Sequence, residues 1–164
     1  MIIRDETAAD VDAIRALTAV AFADMPYSDG SEPAIIDRLR EAGALTLSLV
    51  AGDQGQVVGH VAFSPVTIVG EAEGWYGLGP ISVLPACQGQ GIGSALVIEG
   101  LKRLRGLDAK GCVLAGNPAY YGRFGFSVDP AFTCAGIPPE YFMRLAFSSV
   151  YAGGTVAYHP AFYG

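Results

Sequence analysis

A glycine-rich segment near the middle of the chain has residue types that can bind an anion through the backbone. Its residues are, in order, Gln88, Gly89, Gln90, Gly91, Ile92, Gly93 and Ser94. Glycines at alternate positions allow a tight turn with no Cβ atoms to obstruct a ligand. If a helix begins there, its first N–H groups lack intrahelical acceptors and its dipole adds positive potential. We call residues 88–94 the glycine loop and predict that it binds a phosphate or pyrophosphate.

The sequence on either side supplies the elements that would position this loop. Residues 79–85 read as a strand, and apolar residues recur at helical spacing from Ile92 to Leu104. A strand that turns tightly into a helix would direct the N–H groups of the helix toward a ligand at the strand end.

The rest of the chain predicts an α+β or mixed α/β domain with a single βαβ crossover. A capping pattern at Thr7 and a proline at position 33 open two helices, and Gly43 ends the second. The other predicted elements are a strand at 2–4, a hairpin of strands 46–51 and 56–69 bent near Pro65, strands at 75–84 and 111–115, a short helix or turn at 117–124, and two or more strands between 141 and 162.

Composition narrows the functional classes. The 164 residues are enough for one domain, and a net charge of −6 disfavours nucleic acid as a partner. The three cysteines have no CxxC spacing, and the two histidines have no metal-ligand spacing, so we expect free thiols and no metal. Neither a signal-peptide core nor an apolar run of membrane-spanning length occurs. A cytoplasmic protein that does not enter a membrane is therefore expected.

Two familiar phosphate loops fit the glycine loop poorly. A P-loop ends in Gly-Lys-Ser or Gly-Lys-Thr, and this loop contains no lysine. A dinucleotide fingerprint requires a third glycine or alanine where this chain has Ser94 or Leu96, depending on the glycine from which the count begins. A tight turn without a ligand also stays open as an alternative.

A third pattern fits better. Gln88-x-x-Gly91-x-Gly93, after the strand at 81–85, resembles the acyl-CoA pyrophosphate loop of the GNAT superfamily of N-acetyltransferases. Downstream, residues 117–126 are similar to the second half of that signature, in which a tyrosine, here Tyr121, precedes a terminal Gly-Phe. The resemblance covers nearly the whole chain, and its tail is similar to a bacterial subgroup of predicted acetyltransferases.

The resemblance implies a GNAT-like, mostly antiparallel twisted sheet, flanked by helices, whose strands splay apart near Val83 and Leu114. It implies one acyl-CoA-binding domain over residues 1–164, with acetyl-CoA as co-substrate and no metal. The pantetheine arm would pair with the strand near Ile81 and Val83. The implied cofactor-binding residues are Ile81, Ser82, Val83, Gln88, Gly89, Gln90, Gly91, Ile92, Gly93, Ser94, Asn117 and Tyr121.

The same resemblance implies catalytic roles. The backbone N–H of Val83 would stabilise negative charge on the thioester oxygen, and Tyr121 would protonate the leaving thiolate. Glu73, or Glu71, would remove a proton from the amine through water, unless the amine loses it in bulk solvent. Many relatives have an arginine at position 89 or 90, whereas this chain has Gly89 and Gln90. Phosphate binding should therefore depend on backbone donors.

Some of these residues could instead have a purely structural role. Tyr121 could serve only in an aromatic cluster, Asn117 could cap the next helix, and Arg123 could meet a CoA phosphate or only face solvent. At the level of function, the alternatives to an N-acetyltransferase are a non-catalytic acyl-CoA sensor or interaction module, and a nucleotide-dependent oxidoreductase. The acceptor would be a small-molecule or peptide amine. Resemblance also allows a homodimer.

Overall fold

The fold combines two β-sheets with four helices, and the computed structural model describes residues Met1 to Gly164. The strands are β1 (Ile2–Asp5), β2 (Leu47–Asp53), β3 (Gln56–Pro65), β4 (Thr67–Ile68), β5 (Trp75–Val83), β6 (Gly111–Ala115), β7 (Ser127–Val128), β8 (Phe132–Cys134), β9 (Phe142–Ala146) and β10 (Gly154–Ala157). The helices are α1 (Val11–Phe22), α2 (Glu32–Glu41), α3 (Ile92–Gly106) and α4 (Pro118–Tyr121). None of these helices has the length and apolar character needed to cross a membrane.

The larger sheet has seven strands in the order β1-β2-β3-β5-β6-β9-β7. All its neighbouring strands are antiparallel except β5 and β6, which are parallel and joined through α3. A parallel pair requires a crossover connection, and the helix after the glycine loop provides it. The predicted mostly antiparallel sheet with one βαβ crossover is confirmed.

Local sequence explains the β2–β3 hairpin. Asp53 faces Gln56 across a two-residue turn, in which Gln54 and Gly55 have φ values of 51° and 79°. Positive φ at both central residues defines the type I′ geometry that suits the twist of two antiparallel strands. The predicted return strand does not reach residue 69, because β3 ends at Pro65 and the chain leaves the sheet there.

A second sheet of three short strands, in the order β4-β10-β8, was not predicted. Its strands pack around Trp75, which is 1% exposed and lies 5.3 Å from Phe132 between ring centroids. This sheet covers the end of β5 that lies farthest from the glycine loop.

Helices cover both faces of the larger sheet. Leu49 contributes to the core beneath α3, whereas the next residue, Val50, packs against Ile14 of α1 and Ile36 of α2. Successive side chains of a strand point to opposite faces, so α3 lies opposite α1 and α2. The apolar spacing from Ile92 to Leu104 corresponds to the buried face of α3, whose residues are Ile92, Leu96, Val97, Gly100, Leu101 and Leu104.

A line of polar side chains crosses the face under α1 and α2. The Oγ of Ser48 lies 2.8 Å from Nε2 of His60 and donates to Glu6, which Arg40 also holds through two contacts of 2.8 Å. His60 is fully buried, and this burial lowers its pKa to about 4. The imidazole is therefore neutral at physiological pH.

Candidate active site

The glycine loop has the conformation that its sequence predicted. Gly89 and Gly91 have φ values of 79° and 82°, and Gly91 is the N-cap residue of α3. A Cβ atom at either position would have no heavy atom within 4 Å, so the space above both glycines is open. Positive φ and open space together explain the glycines at these positions.

The loop also presents a run of unused backbone donors. None of the amides from Gly89 to Ser94 donates a hydrogen bond within the chain; the first that does is Ala95, to the carbonyl of Gly91 at 3.0 Å. Unbonded N–H groups at a helix N-terminus form an anion site, and the dipole of a helix as long as α3 strengthens it.

Beside the loop, β5 and β6 separate. They pair only from Trp75 opposite Gly111 to Gly77 opposite Val113. Beyond Gly77, β5 keeps its partner β3 but has no partner on the other edge. This gap is the splay that was expected near Val83 and Leu114.

Register shows which backbone groups face the gap. Leu84 donates to the carbonyl of Val58 at 2.9 Å, so the Leu84–Val58 pair is a hydrogen-bonded one. Antiparallel pairs alternate, which turns the N–H groups of Val83 and Ile81 away from β3 and into the gap. The carbonyl of Val83 accepts from Nε2 of Gln88 at 3.3 Å. Two amides of β5 are thus available to a ligand in the gap.

Tyr121 lies against the end of β6. A Cβ on Gly116 would come within 2.5 Å of its ring, so this close approach requires glycine. Tyr120 meets the Tyr121 ring edge-on at 4.9 Å. Burial, followed by the nearby phenols of Tyr120 and Tyr27, raises the pKa of Tyr121 to about 12. Its hydroxyl is therefore protonated across the physiological pH range.

Two residues that the sequence did not place in the site also line it. Tyr120 shares a hydrogen bond of 3.0 Å between its hydroxyl and Oγ of Ser94, which ties α4 to the first turn of α3. Arg123 lies 4.4 Å from the centre of the Tyr120 ring. Both border a depression of about 340 Å³ over the glycine loop, together with Val83 and Cys87. Tyr120 lies in α4 and Arg123 in the helical turn at residues 122–124 that follows it, and their three-residue spacing was the available sequence signal.

The side chain of Asn117 contacts the backbone of the helix that follows it. Its Oδ1 accepts from the amide of Ala119 at 3.0 Å and so caps α4. This is the cap that the sequence offered as one alternative. Its side-chain amide nitrogen forms no hydrogen bond with the chain, and a contact with a cofactor stays a prediction.

The two glutamates expected to act as bases lie at the far end of β5 from Val83, and their role stays a prediction. Glu73 precedes Trp75, and the eight steps along the strand from Trp75 to Val83 span about 26 Å. Glu71 accepts from the amides of Ala152 and Gly153 instead, and these hydrogen bonds lower its pKa. It anchors the C-terminal segment.

Known proteins with similar sequences and structures point to one family. Residues 11–126 match the sequence model described as the acetyltransferase (GNAT) family. The protein called Uncharacterized N-acetyltransferase YhbS, of Escherichia coli strain K12, is 43% identical over 129 residues, which are 78% of this chain and 74% of that protein.

Solved structures agree with this match. A GNAT family acetyltransferase from Brucella melitensis, in complex with acetyl-CoA, is 53% identical with a TM-score of 0.88, over 98% of this chain and 97% of that one. YhbS from E. coli, in complex with CoA, is 36% identical with a TM-score of 0.89, over 99% of this chain and 92% of that one. On these matches, and on the loop and gap described above, the chain belongs to the acetyltransferase (GNAT) family.

Proposed function

We propose that this acyltransferase moves an acetyl group from acetyl-CoA to a primary amine by direct attack of the amine. One observation carries the proposal: the unbonded amides of the glycine loop lie beside the unpaired edge of β5. One region could hold a pyrophosphate and the other an extended amide-containing arm. The related structures from B. melitensis and E. coli contain acetyl-CoA and CoA, respectively.

The glycine loop would hold the pyrophosphate. Its backbone N–H groups supply directed donors, and the N-terminus of α3 supplies partial positive charge. No lysine or arginine lies within the loop itself, so Gly89, Gly91 and Gly93 leave the backbone as the principal contact. Ser94 is held in place through its hydroxyl contact with Tyr120.

The unpaired edge of β5 would position and activate the acyl unit. When bound, acetyl-CoA supplies a thioester whose carbonyl carbon accepts the amine and whose sulfur departs as a thiolate. Val83 would donate its N–H to the carbonyl oxygen, where negative charge develops, and Ile81 faces the same gap. A fixed donor of this kind contributes about 3–4 kcal/mol to lowering a barrier.

Tyr121 is the proposed general acid. The raised pKa keeps the Tyr121 phenol protonated, so it would donate a hydrogen bond to the sulfur as negative charge develops there. The close fit against Gly116 fixes the ring beside the end of β6. The hydroxyl would deliver its proton to the sulfur and later recover one from solvent.

The acceptor pocket would lie where the segment between α1 and α2 approaches Tyr121, since Tyr27 of that segment contributes to the raised pKa of Tyr121. Asp29 of this segment accepts from the amide of Ser31 at 3.0 Å, and Glu32, the first residue of α2, accepts from the hydroxyl of Ser28 at 2.6 Å. We propose a small-molecule or peptide amine, a single domain over residues 1–164, and a homodimer that light scattering can test.

The test is thiol release from acetyl-CoA against a panel of primary amines, with Tyr121→Phe as the variant. The enzyme should release CoA with at least one amine class, and Tyr121→Phe should lower kcat by about 10²–10⁴-fold while CoA affinity stays within a few-fold. An acyl-CoA sensor would bind CoA with no turnover in either protein. Unchanged kcat in Tyr121→Phe would remove the general-acid assignment.

A further inference from the structure

The line of polar side chains under α1 and α2 ends on two buried atoms that have no hydrogen-bond partner in the chain. These atoms are Nδ1 of His60 and Oγ of Ser82, whose residues are 0% and 3% exposed. The two residues are direct neighbours across β3 and β5. Buried polar atoms in folded proteins nearly always have a partner, which is either protein or ordered water. The His60–Ser82 pair therefore marks a place where a water molecule can bridge two polar atoms.

The other end of the line determines which nitrogen of His60 carries the hydrogen. Although burial opposes it, hydrogen bonds from Arg40 and Ser48 lower the pKa of Glu6, so this carboxylate is ionised and accepts hydrogen bonds. Ser48 gives its one hydroxyl hydrogen to Glu6. In the contact of 2.8 Å between Ser48 and Nε2 of His60, the imidazole must then be the donor. Nδ1 is left with a free lone pair and is the basic nitrogen of the ring.

Ser82 lies between this basic nitrogen and the proposed acyl site. Its neighbours Ile81 and Val83 direct their amides into the gap. Its own side chain is on the sheet face under α1 and α2, because it pairs with His60. The extra residue of β5 occurs in the same stretch, where a Cβ at Gly79 would have no heavy atom within 4 Å. Water therefore has open space beside β5 at the point where the gap begins.

We propose that His60 accepts the proton that the amine loses during acetyl transfer, through water held by Ser82. The inference rests on the proposed function, and it is an alternative to the two glutamates at the far end of β5. After the amine nitrogen bonds to the carbonyl carbon, it carries a positive charge and its N–H becomes acidic. This N–H bond breaks and its electron pair stays on nitrogen. The bridging water receives that proton and passes one of its own to Nδ1, while the C–S bond breaks and the thiolate leaves.

Ser48 and Glu6 would stabilise the imidazolium that forms. Nε2–H continues to donate to Ser48, and the carboxylate of Glu6 lies directly beyond it. Burial lowers the pKa of His60 to about 4, with Glu6 opposing this shift and Arg40 adding to it. The imidazolium would therefore return its proton to water before the next turnover. No other charged group faces the ring from α1, whose buried residues are Ile14, Leu17, Thr18 and Ala21.

The first test compares the kcat of His60→Gln with that of the wild type at pH 7 and at pH 9. The substrates are saturating acetyl-CoA and the primary amine that gives the fastest thiol release. Glutamine keeps a donor for Ser48 but has no basic nitrogen. The variant should be about 10–100-fold slower than wild type at pH 7 and within about 3-fold at pH 9, because hydroxide then replaces the missing base. A purely structural role would give the same ratio at both pH values.

Ser82→Ala, with Ser64→Ala as its matched control, tests the route. Ser64 is also a buried serine whose hydroxyl has no partner, but it lies opposite Gly77, at the paired end of β5. Ser82→Ala should lower kcat by about 3–10-fold at pH 7 and less at pH 9, because the bridging water loses one of its partners. Ser64→Ala should keep the wild-type kcat at both pH values. Melting temperatures and CoA titrations check that every variant folds and binds the co-substrate.

Two results would overturn the inference. A kcat ratio for His60→Gln that is the same at pH 7 and pH 9 means that His60 does not take the proton. Equal kcat values for Ser82→Ala and Ser64→Ala mean that the proton does not pass Ser82, and this pair decides the question if His60→Gln fails to fold. Failure of the proposed function is a different outcome, in which the wild type releases no CoA with any amine.

Discussion

The two ends of strand β5 differ in their partners. At residues 75–77 the strand is hydrogen-bonded on both edges, to β3 and to β6, and Trp75 is buried beneath the second sheet. At residues 81–83 only β3 pairs with it, and the other edge faces the gap. One strand thus serves as core at one end and as a ligand platform at the other. The change occurs where β5 carries one extra residue between Leu78 and Ile81.

This contrast indicates that the two ends respond differently to substitution. Changes at the paired end should lower the free energy of unfolding and leave ligand affinity unchanged in the folded protein. Changes around the unpaired end should alter binding or turnover at nearly constant stability. Three substitutions test that division, in order of decreasing expected effect, and a pH titration of stability follows them.

Trp75→Ala should have the largest effect. It removes a fully buried aromatic side chain from the cluster around Phe132, and such truncations cost about 3–5 kcal/mol of unfolding free energy. Urea denaturation measures the loss. The CoA affinity of the folded fraction should stay within a few-fold of wild type. A loss of CoA affinity alongside the loss of stability would contradict the proposed difference between the two ends of β5.

Gly91→Glu should weaken CoA binding by roughly 100-fold or more, because it places a side chain and a negative charge where free amides would meet phosphate. Gly136→Glu is a matched control, since Gly136 has φ +83° and Gly91 has φ +82°, with nothing within 4 Å of a Cβ at either. Both variants carry the same backbone strain. If titration showed equal affinity for CoA in the two variants, the pyrophosphate would have to bind elsewhere.

Gly116→Ala should lower kcat by about 10–100-fold, because its Cβ would come within 2.5 Å of the Tyr121 ring and displace the proposed acid. Gly122→Ala, in the same segment, adds a methyl group to open space and should retain wild-type kcat. Steady-state kinetics at saturating acetyl-CoA separates these cases. A fully active Gly116→Ala would show that the position of Tyr121 does not limit turnover.

His60, which lies opposite Ser82 in the sheet, gives the stability of the whole fold a pH dependence. Its folded pKa of about 4 lies below the ordinary value of 6.5 because of burial, so the unfolded chain binds a proton that the folded chain excludes. Stability is complete above pH 6.5 and falls as pH decreases toward 4, by about 1–2 kcal/mol at pH 5.

Urea titrations at pH 7 and pH 5 measure this loss, with His60→Gln as the comparison. Glu6, whose pKa is lowered from 4.5 by Arg40 and Ser48 against the cost of burial, contributes mainly below this window. The variant should therefore lose less stability than wild type between the two pH values. An identical loss in both proteins would assign the effect to another group.

Sequence reasoning reached the glycine loop because its signal is local. Positive φ, an N-cap glycine and the following apolar periodicity all occur within residues 88–104. The second sheet escaped prediction since its strands have only two to four residues, too few for an alternating pattern to be recognised. Its stability comes from packing on Trp75, a contact that no local pattern encodes.

Some residues of the candidate site were predicted from the sequence, and others were not. The resemblance identified Tyr121, but the participation of Tyr120 and Arg123 depends on the orientation of α4 and the turn after it against α3. Glu73 is a different case, because it precedes Trp75 and so lies at the end of β5 farthest from the glycine loop, and its role as a base stays a prediction.

Gly100 determines how closely α3 packs on the sheet. A Cβ there would come within 2.3 Å of the Phe63 ring, so α3 rests on the sheet as closely as glycine permits. The same rigid helix bears the donors at its N-terminus, two turns away. A methyl group added at Gly100 would push α3 away from the sheet and displace those donors. The affinity for a co-substrate therefore depends on a residue that does not contact the ligand.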